Sequence, residues 1–140
     1  MKTRYAEIPA YLTLDGSVIR ELMQPAVHGN HAQSLAEATI VAGGRTLLHR
    51  HRSSEEIYHV SAGAGWMWLD PHWLRIETGD TVCIPPGTPH CVQADSLAAL
   101  VLLCSCSPPY RHDDTELLPG AWPSLDPPSI LPGRVIEAPI

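Results

Sequence analysis

The sequence predicts an all-β protein, a sandwich or small antiparallel barrel followed by an extended Pro-rich arm. Three observations carry this. The chain of 140 residues has 14 Pro and 10 Gly, a density that suits short strands joined by tight turns and opposes a helical bundle. Segments of four to eight residues rich in β-branched and aromatic side chains recur at short spacing. No stretch shows sustained helical periodicity, and no internal repeat is visible.

In chain order, the candidate strands are Ser17 to Met23, Ser34 to Val41, Thr46 to His51, Glu56 to Ser61 and Gly65 to Leu69. Trp73 to Glu77, Thr81 to Ile84, His90 to Gln93 and Ala98 to Cys106 complete the set. Asp15-Gly16, Gly43-Gly44, Gly63, Asp70-Pro71, Gly79-Asp80, the run 85–89 and Asp95 supply the turns between them. Regular strands with turn signals mean a sandwich or a barrel. One short helical patch is expected at Asp113 to Leu118. After Ser107 the composition shifts to Pro-rich sequence dotted with Trp122, Ile130, Leu131, Val135 and Ile136. Residues 1–107 therefore read as the barrel domain and 108–140 as an extension that runs extended over its own barrel or over a partner's.

Composition also limits function. A 15.3 kDa chain is one domain's worth, and 44% hydrophobic residues can bury a core. Nine Lys and Arg against fifteen Asp and Glu leave a net charge of −6, so no basic field exists to neutralise a phosphate backbone and nucleic acid is excluded as the expected partner. No apolar run approaches the roughly 20 residues that span a bilayer, and MKTRYAEIP carries no apolar signal core. A cytoplasmic protein with no membrane contact is the expectation. Four Cys, at 83, 91, 104 and 106, lack paired metal-finger spacing and read as reduced thiols. With no Phe but four Trp and four Tyr, aromatic burial falls on side chains that carry a polar atom, which implies a half-polar interior.

The chemistry concentrates in two blocks. The first is Gly43, five residues, His49, one residue, His51, four residues, Glu56, six residues and Gly63. The second begins sixteen positions later at Gly79 and reads GDTVCIPPGTPH, with Pro85, Gly87 and His90. Side chains alternate along a strand, so His49 and His51 share one face and can grip one ion together. Glu56, beyond the turn at 52–55, adds a carboxylate from the next strand, and His90, set by the rigid Pro85-Pro86-Gly87 turn, closes the group. Three imidazoles and one carboxylate suit a divalent transition metal, Fe, Mn, Ni, Cu or Zn, better than Mg or Ca, which prefer all-oxygen shells. Of the adjacent Glu55 and Glu56 only one can face inward, and counting back from Gly63 selects Glu56.

These two blocks closely resemble the two motifs of the cupin superfamily, with matching spacing at every motif position. The resemblance covers residues 43 to 94 directly and implies a small jelly-roll barrel from about Tyr5 to Ser107. It also implies that His49, His51, Glu56 and His90 are the metal ligands and that the barrel mouth admits a substrate. Ala94 stands where the family usually has an Asn that is not a ligand.

Other candidates carry competing readings. Tyr58 has the inward parity of Glu56, and its phenol is the candidate catalytic group, able to donate to or accept from a metal-bound substrate; a core Tyr with a buried hydrogen bond fits equally well. Arg45, Glu37 and Arg20 are either substrate contacts or solvated residues. Cys104 and Cys106 share a face as small buried hydrophobes or as a thiol pair, and Trp66 and Trp68 suit either a platform or packing. His59 has outward parity, and His28, His31, His72 and His112 lie near turns as solvated side chains.

The expected function is a metal-dependent enzyme acting on a small oxygen-rich organic acid or polyol. Dioxygenase chemistry comes first, because an open mixed His and carboxylate site serves oxygen or enolate chemistry. The alternatives are a lyase or isomerase, with Tyr58 as base, and a barrel that binds a sugar or metabolite without turning it over. Extended apolar-dotted ends and exposed strand edges, together with the resemblance, point to a homodimer.

Overall fold

A computed structural model describes residues 1–13 and 15–118. Among them are eleven strands: β1 (Tyr11–Leu12), β2 (Val18–Met23), β3 (Ser34–Ile40), β4 (His49–His51), β5 (Glu55–Ala62) and β6 (Ala64–Leu69), then β7 (His72–Glu77), β8 (Thr81–Ile84), β9 (His90–Ala94), β10 (Leu100–Ser107) and β11 (Thr115–Leu117). All pair antiparallel. They form a six-stranded sheet in the order β1-β2-β3-β10-β5-β8 and a five-stranded sheet in the order β11-β4-β9-β6-β7. This is the all-β architecture that strand spacing and turn residues predicted, in the jelly-roll form that the cupin resemblance implied.

All nine predicted strands are present, with ends that differ by a few residues. The largest difference is at β4, where only His49–His51 is regular strand and Arg45 makes an isolated bridge to Gln93. The segment between them is bound instead by Thr46, whose N–H donates to Val92 O and whose hydroxyl accepts from Val92 N–H. Three elements escape the sequence pattern: a 3-10 turn at Tyr5–Glu7, β1, two residues long, and a single helical turn at Pro25–His28 that Gly29 ends in the left-handed region at φ +80°. The helix expected over Asp113 to Leu118 is not one. His112–Asp114 form a 3-10 turn, and Thr115–Leu117 are strand β11, paired with β4. The free edge of β4 offers Thr115 and Leu117 a hydrogen-bonded partner, and tertiary pairing overrides the local pattern. The stretch 108–118 thus lies on its own barrel. The remainder of the predicted arm, including Trp122, Ile130, Leu131, Val135 and Ile136, falls outside the described residues.

The core sits between the sheets at one end of the barrel. Ile40, Val60, Met67, Ile76, Val92, Leu100 and Leu102 are its large members, each less than a twentieth exposed. Register places them level: Leu100 opposite Ile40, Leu102 opposite Ala38 and Val60. Gly63, at φ +79°, turns β5 into β6 where a Cβ would lie 2.1 Å from Ala99 O, so only glycine fits. That turn fixes how far Glu56 lies from the end of its strand, and hence the depth of the site.

Candidate metal centre

Four of the predicted residues converge. His49 and His51 project from β4, His90 from β9 directly opposite His49, and Glu56 from β5 in the facing sheet. The three imidazoles come from one sheet and the carboxylate from the other, so the cluster bridges the barrel interior. Their ligand atoms lie within 4.8 Å of one another, and all four residues are at most 5% exposed. The imidazole rings stand 4.3 Å (His49–His90), 5.3 Å (His49–His51) and 5.5 Å (His51–His90) apart by their centroids.

Each ring is oriented by its Nδ1. His49 Nδ1 is bonded to Leu47 O at 2.9 Å, His90 Nδ1 to Thr88 O at 2.9 Å, and His51 Nδ1 to Thr115 Oγ1 at 3.0 Å. A carbonyl can only accept, so His49 and His90 carry the proton on Nδ1 and turn Nε2 inward. This is the arrangement metal-binding histidines adopt. His51 Nε2 lies 2.9 Å from Glu56 Oε2. His90 Nε2 is fully buried without a hydrogen-bond partner, with Glu56 Oε2 at 3.3 Å outside hydrogen-bond geometry. A buried nitrogen left without a partner is costly, and an ion at the centre of the four would satisfy it. The residues therefore fit a divalent transition metal held by three Nε2 atoms and one carboxylate oxygen.

Electrostatics agree. Burial, reinforced by the neighbouring His90, pushes His49 down to about 4, so it is a neutral donor at physiological pH. Burial alone would raise Glu56, but its contacts with His51 and His90 outweigh it and hold the carboxyl well below its ordinary range. Glu55 is exposed, as the parity argument required.

Beside the cluster opens a pocket floored by Ser34, Ala36 and Ala38 of β3, whose small side chains leave the space, and by Cys104 and Cys106 of β10. Tyr58 lines it too, its ring 5.8 Å from that of His90. Burial and the adjacent Glu56 push its phenol well above the usual range, so in the metal-free protein Tyr58 holds its proton at neutral pH. Asp15 and Glu21 bring two further carboxylates, and Tyr11 and Tyr110 two further phenols. Among the described residues, those that line the pocket include no Lys or Arg.

The other candidates lie elsewhere. Arg20 faces outward, bonded to Ile8 O and stacked over Tyr5 at 4.8 Å, and Glu37 accepts from the Tyr5 hydroxyl. Arg45 is exposed, in the isolated bridge to Gln93 that precedes β4. Trp66 and Trp68 sit on the outer face of the five-stranded sheet, against Arg75 (5.6 Å) and Trp73 (5.4 Å), so they pack and do not form a platform. His59 bonds Thr81 away from the pocket, and His31, His72 and His112 are exposed. All four cysteines are free. Sequence reasoning missed Asp15, Glu21, Tyr11, Tyr110 and Thr115. Parity along Val18–Met23 places Ile19 and Glu21 on one face and was the available signal for Glu21; the other four stand in turns, a two-residue strand and the segment read as helix.

The family model for the cupin domain matches residues 36–106, just over half of the chain. The chain belongs to the cupin family. An uncharacterized protein of Methanocaldococcus jannaschii, MJ1618, is 48% identical over 118 residues, which cover 84% of this cupin and 94% of that protein. Among solved structures, the Streptomyces nucleoside dehydratase Pac13 superposes with a TM-score of 0.70 at 14% identity, covering 84% of this chain and 90% of the other. The polyketide cyclase RemF from Streptomyces resistomycificus gives 0.68 at 18% identity, over 76% and 78%. At such identities these two likenesses establish the cupin fold alone. No helix among the described residues is long and apolar enough to cross a membrane.

Proposed function

We propose that this cupin is a metal-dependent, non-oxidative enzyme, a lyase or isomerase, acting on a small neutral molecule that carries hydroxyl and carbonyl groups. The observation that carries the reading is the composition of the pocket beside the metal cluster: Asp15 and Glu21, three phenols, and no Lys or Arg. Among the described residues an organic anion would find no cation there besides the metal, whereas a neutral hydroxylated substrate finds acceptors and donors for its hydroxyls. This narrows the choice between organic acid and polyol in favour of the polyol.

A divalent ion held by His49, His51, Glu56 and His90 would supply Lewis acidity toward a substrate oxygen. Tyr58 donates its phenolic O–H to a substrate oxygen near the cluster. The carboxylates of Asp15 and Glu21 accept substrate hydroxyls, and one of them takes a proton from carbon or oxygen. Asp15 is fixed for this by the Ser17 N–H and hydroxyl, which donate to Oδ1 at 2.9 and 2.6 Å. Ser34, Ala36 and Ala38 set the width of the substrate space. The two solved structures are named for a dehydratase acting on a nucleoside, itself neutral and hydroxyl-rich, and for a cyclase; both names support non-oxidative chemistry.

The test is incubation of metal-loaded protein in D2O with a panel of neutral aldoses, ketoses and nucleosides, followed by NMR and by an oxygen electrode. Deuterium exchange or water elimination without oxygen uptake is expected. Oxygen consumption in step with turnover would establish a dioxygenase instead, and tight binding of an unchanged ligand would establish a binding barrel.

A further inference from the structure

The three histidines are not held alike. His49 and His90 each bond a backbone carbonyl two residues upstream, Leu47 O and Thr88 O, so their orientation is built into their own strands. His51 depends on a side chain 64 residues away, Thr115 of β11. That strand lies beyond the residues 36–106 that the cupin domain model matches.

The hydroxyl proton of Thr115 is already committed: Oγ1 donates to Arg111 O at 3.0 Å. Toward His51, therefore, Thr115 can only accept, and His51 Nδ1 must donate. With Nδ1 the donor to Thr115, Nε2 is the nitrogen left to ligate an ion. Thr115 stands directly across the ladder from His51, and the segment is anchored on both sides of it. Arg52 N–H donates to Asp114 O at 2.9 Å, and the Asp114 carboxylate accepts Ser53 N–H at 3.0 Å and Ser54 N–H at 3.2 Å. Leu118 N–H donates to Leu48 O at 2.9 Å, and Glu116 pairs with Arg50 at 2.8 Å.

We infer that Thr115 is a positioning residue for the metal centre, and that docking of β11 on β4 and metal binding at His51 strengthen each other. The inference rests on the metal reading of the site. Coupling of this kind is reciprocal: a segment that orients a ligand is in turn held more firmly once the ion is bound.

The experiment measures Co2+ and Zn2+ dissociation constants by competition with a chelating dye for the full-length protein, Thr115→Val, Thr115→Ser and Glu116→Ala. Val keeps the β-branched shape without the hydroxyl, and Ser restores the hydroxyl. Glu116→Ala loosens β11 without touching His51. We expect affinity to fall about 10- to 100-fold in Thr115→Val, with an altered visible spectrum of the Co2+ form, and to return within a few fold in Thr115→Ser. Glu116→Ala should lower the thermal midpoint of the metal-free protein and weaken both ions, by less than Thr115→Val does, while leaving the Co2+ spectrum unchanged. In the wild-type protein, Zn2+ should slow amide exchange over 115–118. Unchanged affinity in Thr115→Val, or equal loss in Val and Ser, overturns the inference while the metal site stands. Failure of the wild-type protein to bind either ion overturns the metal reading itself.

Discussion

The two ends of the barrel are built from the same strands and differ in what those strands carry. Along β10, Leu100 and Leu102 give way to Cys104 and Cys106; along β3, Ile40 and Ala38 give way to Ala36 and Ser34; along β5, Val60 gives way to Tyr58 and Glu56; along β9, Ala94 and Val92 give way to His90. Antiparallel register aligns these changes, with Leu102 opposite Ala38 and Val60 and Cys106 opposite Ser34 and Glu56. At the packed end each large side chain contributes roughly 1.5–3 kcal/mol of burial free energy. At the open end small residues leave space, and buried imidazoles and a carboxylate carry a desolvation cost that an ion or a mutual contact must offset. One continuous ladder thus carries the packed core at one end and the candidate metal centre at the other.

The comparison can be broken by substitution at either end. The largest effect should come from Glu56→Ala, which is expected to remove bound metal almost entirely while Glu55→Ala, its exposed neighbour, leaves it intact; metal content per chain is the measurement, and equal loss at both would refute the register. Next, Leu102→Ala at the packed end should lower unfolding free energy by about 2–5 kcal/mol in denaturant titrations, with metal content unchanged. Ala36→Leu, which pushes a branched side chain into the pocket floor, should cost about 1–3 kcal/mol or less and keep the metal, yet abolish turnover of any substrate found. Last is a gradual dependence on pH. His49 sits near 4 in the folded protein against an ordinary value of 6.5, so below 6.5 the unfolded chain takes up a proton that the folded one refuses. Stability of the metal-free protein should therefore fall as pH drops from about 6.5 toward about 4. Glu56, depressed by its imidazole neighbours, contributes stability above its ordinary value of 4.5 that is lost below it, in the same direction. Thermal midpoints across this range for wild type and His49→Asn check it; the variant should show a shallower slope.

What was legible in the sequence follows from period and spacing. Alternation placed His49 with His51 and separated Glu56 from Glu55, and the turn residues bounded nine strands because Pro and Gly restrict the backbone locally. Trp66 and Trp68 shared a face as expected, but alternation says which residues go together and not which side of a sheet is inside. Thr115 was unreadable for a different reason: its strand exists only because β4 has a free edge, and its partner is 64 residues away. Asp15 and Tyr11 belong to the irregular approach to β2, where no period operates. The pocket's charge, on which the proposed preference for a neutral polyol over an organic acid rests, was hidden with them.

The central claim, that His49, His51, Glu56 and His90 hold one transition metal at the open end, is tested most directly by elemental analysis of protein purified without a chelating tag, native beside His51→Ala. About one Fe, Mn, Ni, Cu or Zn ion per native chain, absent from the variant, is the predicted result. No ion in the native protein even after each is supplied in turn, or the same content in both, would contradict it.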